Sequence, residues 1–292
     1  MQSITDIYIR DPFVLPWQGR YYLYAAQYPT FVVRTSTDLT NWSEPRVIFE
    51  RPADFWSDRD FWAPECHAYT DPASGVTRFY LFASFKAEGR CRGTQILCAD
   101  APDGRFVPLT DEPVTPRDWE CLDGTLWIEN GRPYMVFCHE WLQVGDGEIC
   151  AMPLSDDLTR AAGEPVVLFR ASAPEWVRPV RAKTDFVTDG PFLYRTVTGE
   201  LVMLWSTFGE GGYAETVARS SDGTLHGTWI QEKTPLMAEN GGHGMLFTAF
   251  DGTLYLVLHA PNSPGGAERA RYFPITDCGD HLVLAERAPA DR

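Results

Sequence analysis

Five times along this chain a turn gives way to an aromatic or aliphatic run of period-two character: GRYYLYAA (19–26), RFYLFAS (78–84), GRPYMVFC (131–138), GELVMLWS (199–206) and GTLYLVLH (252–259). Aligned on Tyr22, Tyr80, Tyr134, Val202 and Tyr255, the copies are spaced by 58, 54, 68 and 53 residues. Alternation of this kind writes strands, because successive strand side chains point to opposite faces. A second strand candidate and a turn follow each run, as in VVRTSTDLTNW and TVARSSDGTLHGTW, and a third often comes next, as in PRVIFE and PVVLF. Helical periodicity is nearly absent, and turn residues punctuate the chain about every 8–12 positions. Repeats of about 50 residues with three or four strands match the blade of a propeller. The expected fold is therefore all-β, a five-bladed β-propeller forming a single domain over residues 1–292. A sandwich would leave the regular period unexplained. The turn-rich stretch ASAPEWVRPVRAKT (171–184) reads as an insertion between the third and fourth blades.

Bulk properties narrow the partner. A formal net charge of −15 argues against nucleic acid and anionic membranes, which demand a basic surface; a neutral oligosaccharide fits better. Ten Trp, twelve Tyr and seventeen Phe serve buried strands first and sugar stacking second. No stretch approaches the ~18 consecutive apolar residues of a membrane span. The opening MQSITDIYIRDPFV has no basic region followed by an apolar one, so no secretory signal is read and a cytoplasmic location is expected. The seven cysteines are odd in number, form no CxxC pair and mostly sit in apolar runs, the pattern of buried, reduced thiols. No GxGxxG, P-loop, HExxH or GxSxG motif is present, which leaves nucleotide, zinc-protease and serine-hydrolase chemistry without support.

A polar residue stands ahead of each repeat's first strand. Asp11 lies eleven residues before Tyr22, Glu65 fifteen before Tyr80, Asp123 eleven before Tyr134, Asp189 thirteen before Val202 and His243 twelve before Tyr255. The first strand of a blade is innermost, so these side chains should converge on the axis at one mouth of the disc. An isolated Asp-Pro or Asp-Gly is more often a turn, as in TDPASG at Asp71 or at Asp103, Asp222 and Asp251, each followed by Gly. Equivalent placement in successive repeats is what argues for function. Carboxylates forced together also shift one another's pKa values, giving an acid and a base near neutrality.

At these residues the chain resembles glycoside hydrolase family 43, the five-bladed arabinofuranosidases, xylosidases and arabinanases. The resemblance rests on IRDPF with GRYYLYAA, TSTDLTNW, FWAPECH, LDGTLW, DGPFLYR, YAETVARSSDGTLHGTW and GGHGMLF, in order over nearly the whole chain. It implies an inverting glycosidase acting on a terminal α-L-arabinofuranoside or β-D-xyloside of plant-type oligosaccharides. The implied roles are base for Asp11, pKa modulator for Asp123 and general acid for Asp189. Inversion needs an acid for the leaving oxygen and a base that activates water on the opposite face, with carboxyls roughly 6.5–9.5 Å apart.

One departure stands out. The blade-four motif of most of the family is Glu-Gly-Pro, and here it is Asp189-Gly190-Pro191. The acid is therefore Asp189, one methylene shorter, or another carboxylate, with Glu215 and Glu120 the alternatives. The Glu120-Cys121 pair is similar to the acid motif of the related fructosidases. The resemblance also makes Trp62 and Glu65 binding residues. Trp119, with Trp56 and Phe61, is expected to form a stacking wall, and Glu215 to approach the substrate. No cofactor is required; relatives place a histidine like His243 near a calcium or sodium ion on the axis, usually through waters. The rival readings are a non-catalytic carbohydrate-binding propeller and a fructosidase or galactofuranosidase on the same fold. A fructosidase would open with Asn-Asp-Pro where this chain has Arg10-Asp11-Pro12. A phosphorylase would add an Arg or Lys cluster for phosphate.

Overall fold

In the computed structural model, which describes residues 1–285, the strand repeats form five four-stranded antiparallel sheets, each built from strands consecutive within its blade. Blade one comprises Phe13–Trp17, Arg20–Gln27, Thr30–Ser36 and Arg46–Glu50. Blade two comprises Arg59–Thr70, Thr77–Lys86, Gly93–Ala99 and Val107–Pro108. Blade three comprises Cys121–Glu129, Arg132–His139, Glu148–Pro153 and Val166–Arg170. Blade four comprises Asp189–Arg195, Leu201–Gly209, Gly212–Ser220 and Trp229–Gln231, and blade five Gly242–Thr248, Leu254–Ala260, Arg269–Asp277 and Leu282–Leu284. Helix is limited to one 3₁₀ turn, Ile4–Asp6, and one α-turn, Trp141–Val144, among the described residues. No helix there is long and apolar enough to cross a membrane.

The middle strands depart from the alternation that announces them. Leu201–Thr207 and all of Gly93–Ala99 are buried at every position, because each blade packs between two others and both faces are covered. The outermost strands keep exposed positions, as Arg46–Glu50 does. Apolar clusters fill the gaps between neighbouring blades: Phe31, Phe49, Phe61 and Phe85 join blades one and two, and Leu204, Val217, Leu246 and Leu258 join four and five. The stretch 171–184 falls, as its composition suggests, between blades three and four. All seven cysteines are free, and burial raises the Cys66 thiol to about 12.

Blade five closes on blade one through side chains and a short strap. Phe247 meets Tyr21 edge-on at 6.2 Å between centroids, and Met245 shares the same cluster. The N-terminal segment ties the seam from outside: Gln2–Ser3 pairs with Asn41–Trp42 of blade one, and the Ile9 N–H donates to the Glu268 carbonyl at 3.2 Å. Phe247→Ala should therefore cost about 3–5 kcal/mol in urea unfolding. Val283→Ala, on the exposed outer edge of the same blade, should cost under about 0.5 kcal/mol.

Candidate active site

The inner strands begin with a shared backbone device. Asp11, Ala63, Asp123, Gly190 and His243, one per blade, take left-handed φ values of 47°, 45°, 54°, 50° and 54°. In blades two to five the strand register breaks across that residue, the sign of a bulge. A left-handed residue turns its side chain out of the pleat. It aims Asp11, Asp123 and His243 into one cavity of about 1050 Å³, which Asp189, Trp62, Arg10 and Tyr213 also line. Asp189 stands one position earlier, and the left-handed place in blade four falls to Gly190. A Cβ at Gly190 would come within 2.7 Å of His243 Cδ2, so glycine answers both the backbone angle and the packed ring.

Three of these turns are anchored by their amides to a matching side chain of the blade before. Ser84 Oγ accepts the Asp123 N–H at 2.9 Å, Ser206 Oγ accepts the His243 N–H at 2.6 Å, and His259 Nδ1 accepts the Asp11 N–H at 3.3 Å. The three acceptors occupy equivalent places, pairing with Trp62, Asp189 and Gly242. Blade three has Cys138 there, opposite Leu122, and thiols are weak acceptors. The Gly190 N–H goes instead to Asp123 Oδ2 at 3.1 Å.

The electrostatics separate the three aspartates. His243 Nδ1 lies 3.2 Å from Asp11 Oδ1 and 3.8 Å from Asp123 Oδ2. Burial opposes a charge on Asp11, but His243 and Arg10 outweigh it and hold the carboxyl well below the usual range. Asp123 moves up: burial and the neighbouring Asp11 charge exceed the pull of His243 and the Gly190 N–H. Asp189 is raised furthest, by burial and then by Asp123, although Tyr213 Oη donates to its Oδ2 at 3.0 Å. Burial would neutralise His243, yet Asp11, Asp123 and Asp189 lift it to about 9. At neutral pH the cavity thus holds an ionised Asp11 and an imidazolium, with Asp189 pushed toward its protonated form.

Of the other sequence candidates, Phe61 lines the cavity beside Trp62, and the rest stand apart from it. Glu65 is buried against His67 Nε2 at 3.2 Å and acts on Asp123 and His243 only through its field. Trp119 stacks flat on His139 at 4.2 Å rather than forming a wall, and Trp56 joins the Phe55–Phe85 aromatic cluster. Glu120 is bound by Lys86 Nζ at 2.5 and 2.7 Å. Burial notwithstanding, these contacts hold its pKa low, the wrong direction for a general acid. Glu215 is fully buried, accepting from Ser206 Oγ at 2.7 Å and the Gly244 N–H at 2.8 Å. Burial lifts it to about 7, but it sits behind His243, away from the cavity lining. Tyr213 and His259 lie on a third and a second strand, away from the blade starts that mark the other site residues; Tyr213 opens the YAETVARS motif and His259 ends GTLYLVLH, and those are the signals the sequence carries for them. Among the described residues no group of three or more His, Cys, Asp or Glu is arranged to hold a metal ion. His243 directs Nδ1 to Asp11 and Asp123.

A propeller whose axial mouth sets two carboxyls with oppositely displaced pKa values in a single cavity has the apparatus of a glycoside hydrolase. The model of the Glycosyl hydrolases family 43 matches residues 3–278. The chain belongs to that family and is a glycosidase with a carbohydrate substrate. It is similar over 94% of its length, and 96% of the other chain, to an endo-arabinase from Bacteroides thetaiotaomicron, with 40% identity and a TM-score of 0.88. A thermostable family-43 glycoside hydrolase (24% identity, TM-score 0.83, 97% of this chain and 95% of that one) shares the fold. So does an endo-1,4-beta-xylanase from Bacteroides thetaiotaomicron (22%, TM-score 0.78, 96% and 94%). No curated protein matches the chain.

The opposed influences on Asp189 can be read directly by carbon-13 NMR titration of its carboxyl. Tyr213→Phe removes a donor that favours the charged form, so the Asp189 pKa should rise further. Asp123→Asn removes a neighbouring negative charge, so it should fall toward the ordinary carboxylate range.

Proposed function

We propose that this glycosidase cleaves pentose linkages, α-L-arabinofuranosidic ones first and β-D-xylosidic ones second, with inversion at the anomeric carbon. The reading is carried by the shared cavity of Asp11 and Asp189 and the opposite directions in which their surroundings displace the two carboxyls. Asp11, held ionised by His243 and Arg10, takes a proton from water as that water attacks the anomeric carbon. Asp189, pushed toward its acid form by burial and by Asp123, gives its proton to the departing oxygen. Charge develops on the sugar ring between them, where the Asp123 carboxylate stabilises an oxocarbenium-like state. Asp123 accepts the amide N–H of Gly190, so the acid is fixed in place by the group that raises its pKa. Tyr213 holds its other flank.

The 40% identity with an endo-arabinase supports arabinan as the substrate. So does the cavity's volume of about 1050 Å³, several times that of one pentose ring. The reading favours a chain of sugars over the single terminal residue that the resemblance implies. Proton NMR during arabinan hydrolysis should detect the inverted anomer first. Retention of configuration would overturn the scheme.

Asp11→Asn and Asp123→Asn should each lower kcat by at least about a hundredfold without loss of fold. For the acid, Asp189→Asn should abolish turnover of sugar-leaving substrates, with a far smaller loss on a dinitrophenyl glycoside, because a good leaving group departs without a proton. An equal loss on both would make Asp189 a positioning group. In pH terms, activity requires Asp11 charged and Asp189 neutral, so it falls below the lowered pKa of the first and above the raised pKa of the second.

A further inference from the structure

One wall of the cavity holds an indole out in the open. Trp62 is 40% exposed between buried Phe61 and Ala63, and it lines the same cavity as the three aspartates. The backbone is bent to present it: Asp60 and Ala63 both take left-handed angles, φ 55° and 45°. Strand register is broken on each side of Trp62, from Arg59 and toward Glu65. Left-handed non-glycine backbone persists only where its surroundings over-determine it.

Behind the ring lies a charge that the hydrolytic scheme does not use. The Arg92 guanidinium, 5% exposed, stands 4.3 Å from the centroid of the Trp62 ring. Acids from three segments surround it. Nη2 donates to Asp60 Oδ2 at 2.8 Å, Nη1 pairs with Glu140, and Glu120 Oε2 lies 4.0 Å from Nη1. Glu120 also accepts the Arg92 backbone N–H at 2.8 Å and is itself gripped by Lys86. Arg92 Nε is buried with no hydrogen-bond partner. An incompletely satisfied buried charge is a poor device for stability alone. It serves when its plane must be held in one orientation.

The geometry points to Arg92 as a positioning residue: clamped between Asp60 and Glu140, it stacks behind Trp62 and holds the indole as a fixed platform for a pentose ring of the bound chain. The inference rests on the cavity being a sugar site. A planar guanidinium can cover an aromatic face while forking to two carboxylates. Lysine keeps the charge but supplies a point donor without a plane.

The test is a double-mutant cycle of Arg92→Lys and Trp62→Ala in the full-length chain, assayed on an arabino-oligosaccharide. Arg92→Lys should fold, raise KM about tenfold, the scale of a desolvated cation–ring contact, and change kcat no more than about twofold. Added to Trp62→Ala, it should do nothing further, because the platform it holds is gone. An unchanged KM in Arg92→Lys, or effects that multiply in the double variant, would overturn the inference. Should lysine fail to fold, Arg92→Gln with Glu140→Gln removes one charge of each sign and carries the same expectation. Titration calorimetry with the oligosaccharide on the Asp11→Asn background separates this inference from the hydrolytic reading. Binding weakened by Arg92→Lys supports the platform even where the parent chain fails to cleave, and equal Kd with and without the guanidinium refutes it.

Discussion

Everything at the cavity depends on a left-handed residue at the head of each inner strand. Such a residue is disfavoured for any side chain larger than glycine, and at Asp11, Asp123 and His243 the ring offsets the cost by bonding the amide to the preceding blade. The Asp123–Ser84, His243–Ser206 and Asp11–His259 contacts are the same joint made three times. Because the acceptor is always one blade back, the position of a functional side chain reports the packing of its neighbour as much as its own strand. The interblade apolar clusters therefore set the geometry of the polar mouth.

Within that frame the chemistry comes from unequal surroundings for like groups. Three aspartates and one histidine are crowded together, and the histidine's charge is not shared evenly. Asp11 has Nδ1 of His243 at 3.2 Å as well as Arg10 alongside. Asp189 has a phenol and a carboxylate for neighbours. One side chain is driven toward its anion and the other toward its acid by the protein's own groups. The imidazolium binds the set together, since its own charge is maintained by the carboxylates it discriminates among.

Much of this was legible in the residues. The period of the aromatic runs gave the blade count, and the polar positions ahead of them placed Asp11, Asp123, Asp189 and His243 at one mouth. The counting offsets varied because the common feature is a backbone angle, and Pro, Gly and a change in strand length disguise it in sequence. Glu65, Trp119 and Glu215 illustrate the limit. Adjacency to a motif gives no sign of which way a side chain leaves the sheet, and all three turn into packed polar or aromatic surroundings. Tyr213 and His259 illustrate the converse, reaching the site from strands whose apolar patterning speaks only of burial. The ion pair that occupies Glu120 joins blade two to blade three, a pairing that no local pattern encodes.

Blade three breaks the repeat at one atom, and the break has a consequence for the whole site. Where its neighbours present an oxygen or a nitrogen, it presents the sulfur of Cys138, and the amide of the next blade is released from the common joint. That amide turns to Asp123. A symmetric ring would hold five independent side chains at its mouth, each answerable to its own scaffold. The sulfur leaves two of them joined, the peptide following Asp189 by a hydrogen bond to the Asp123 carboxylate and the two carboxyls by their shared field. Asymmetry in the scaffold, introduced by the weakest hydrogen-bonding group available, is what lets a repeated architecture behave as a single acid–base machine.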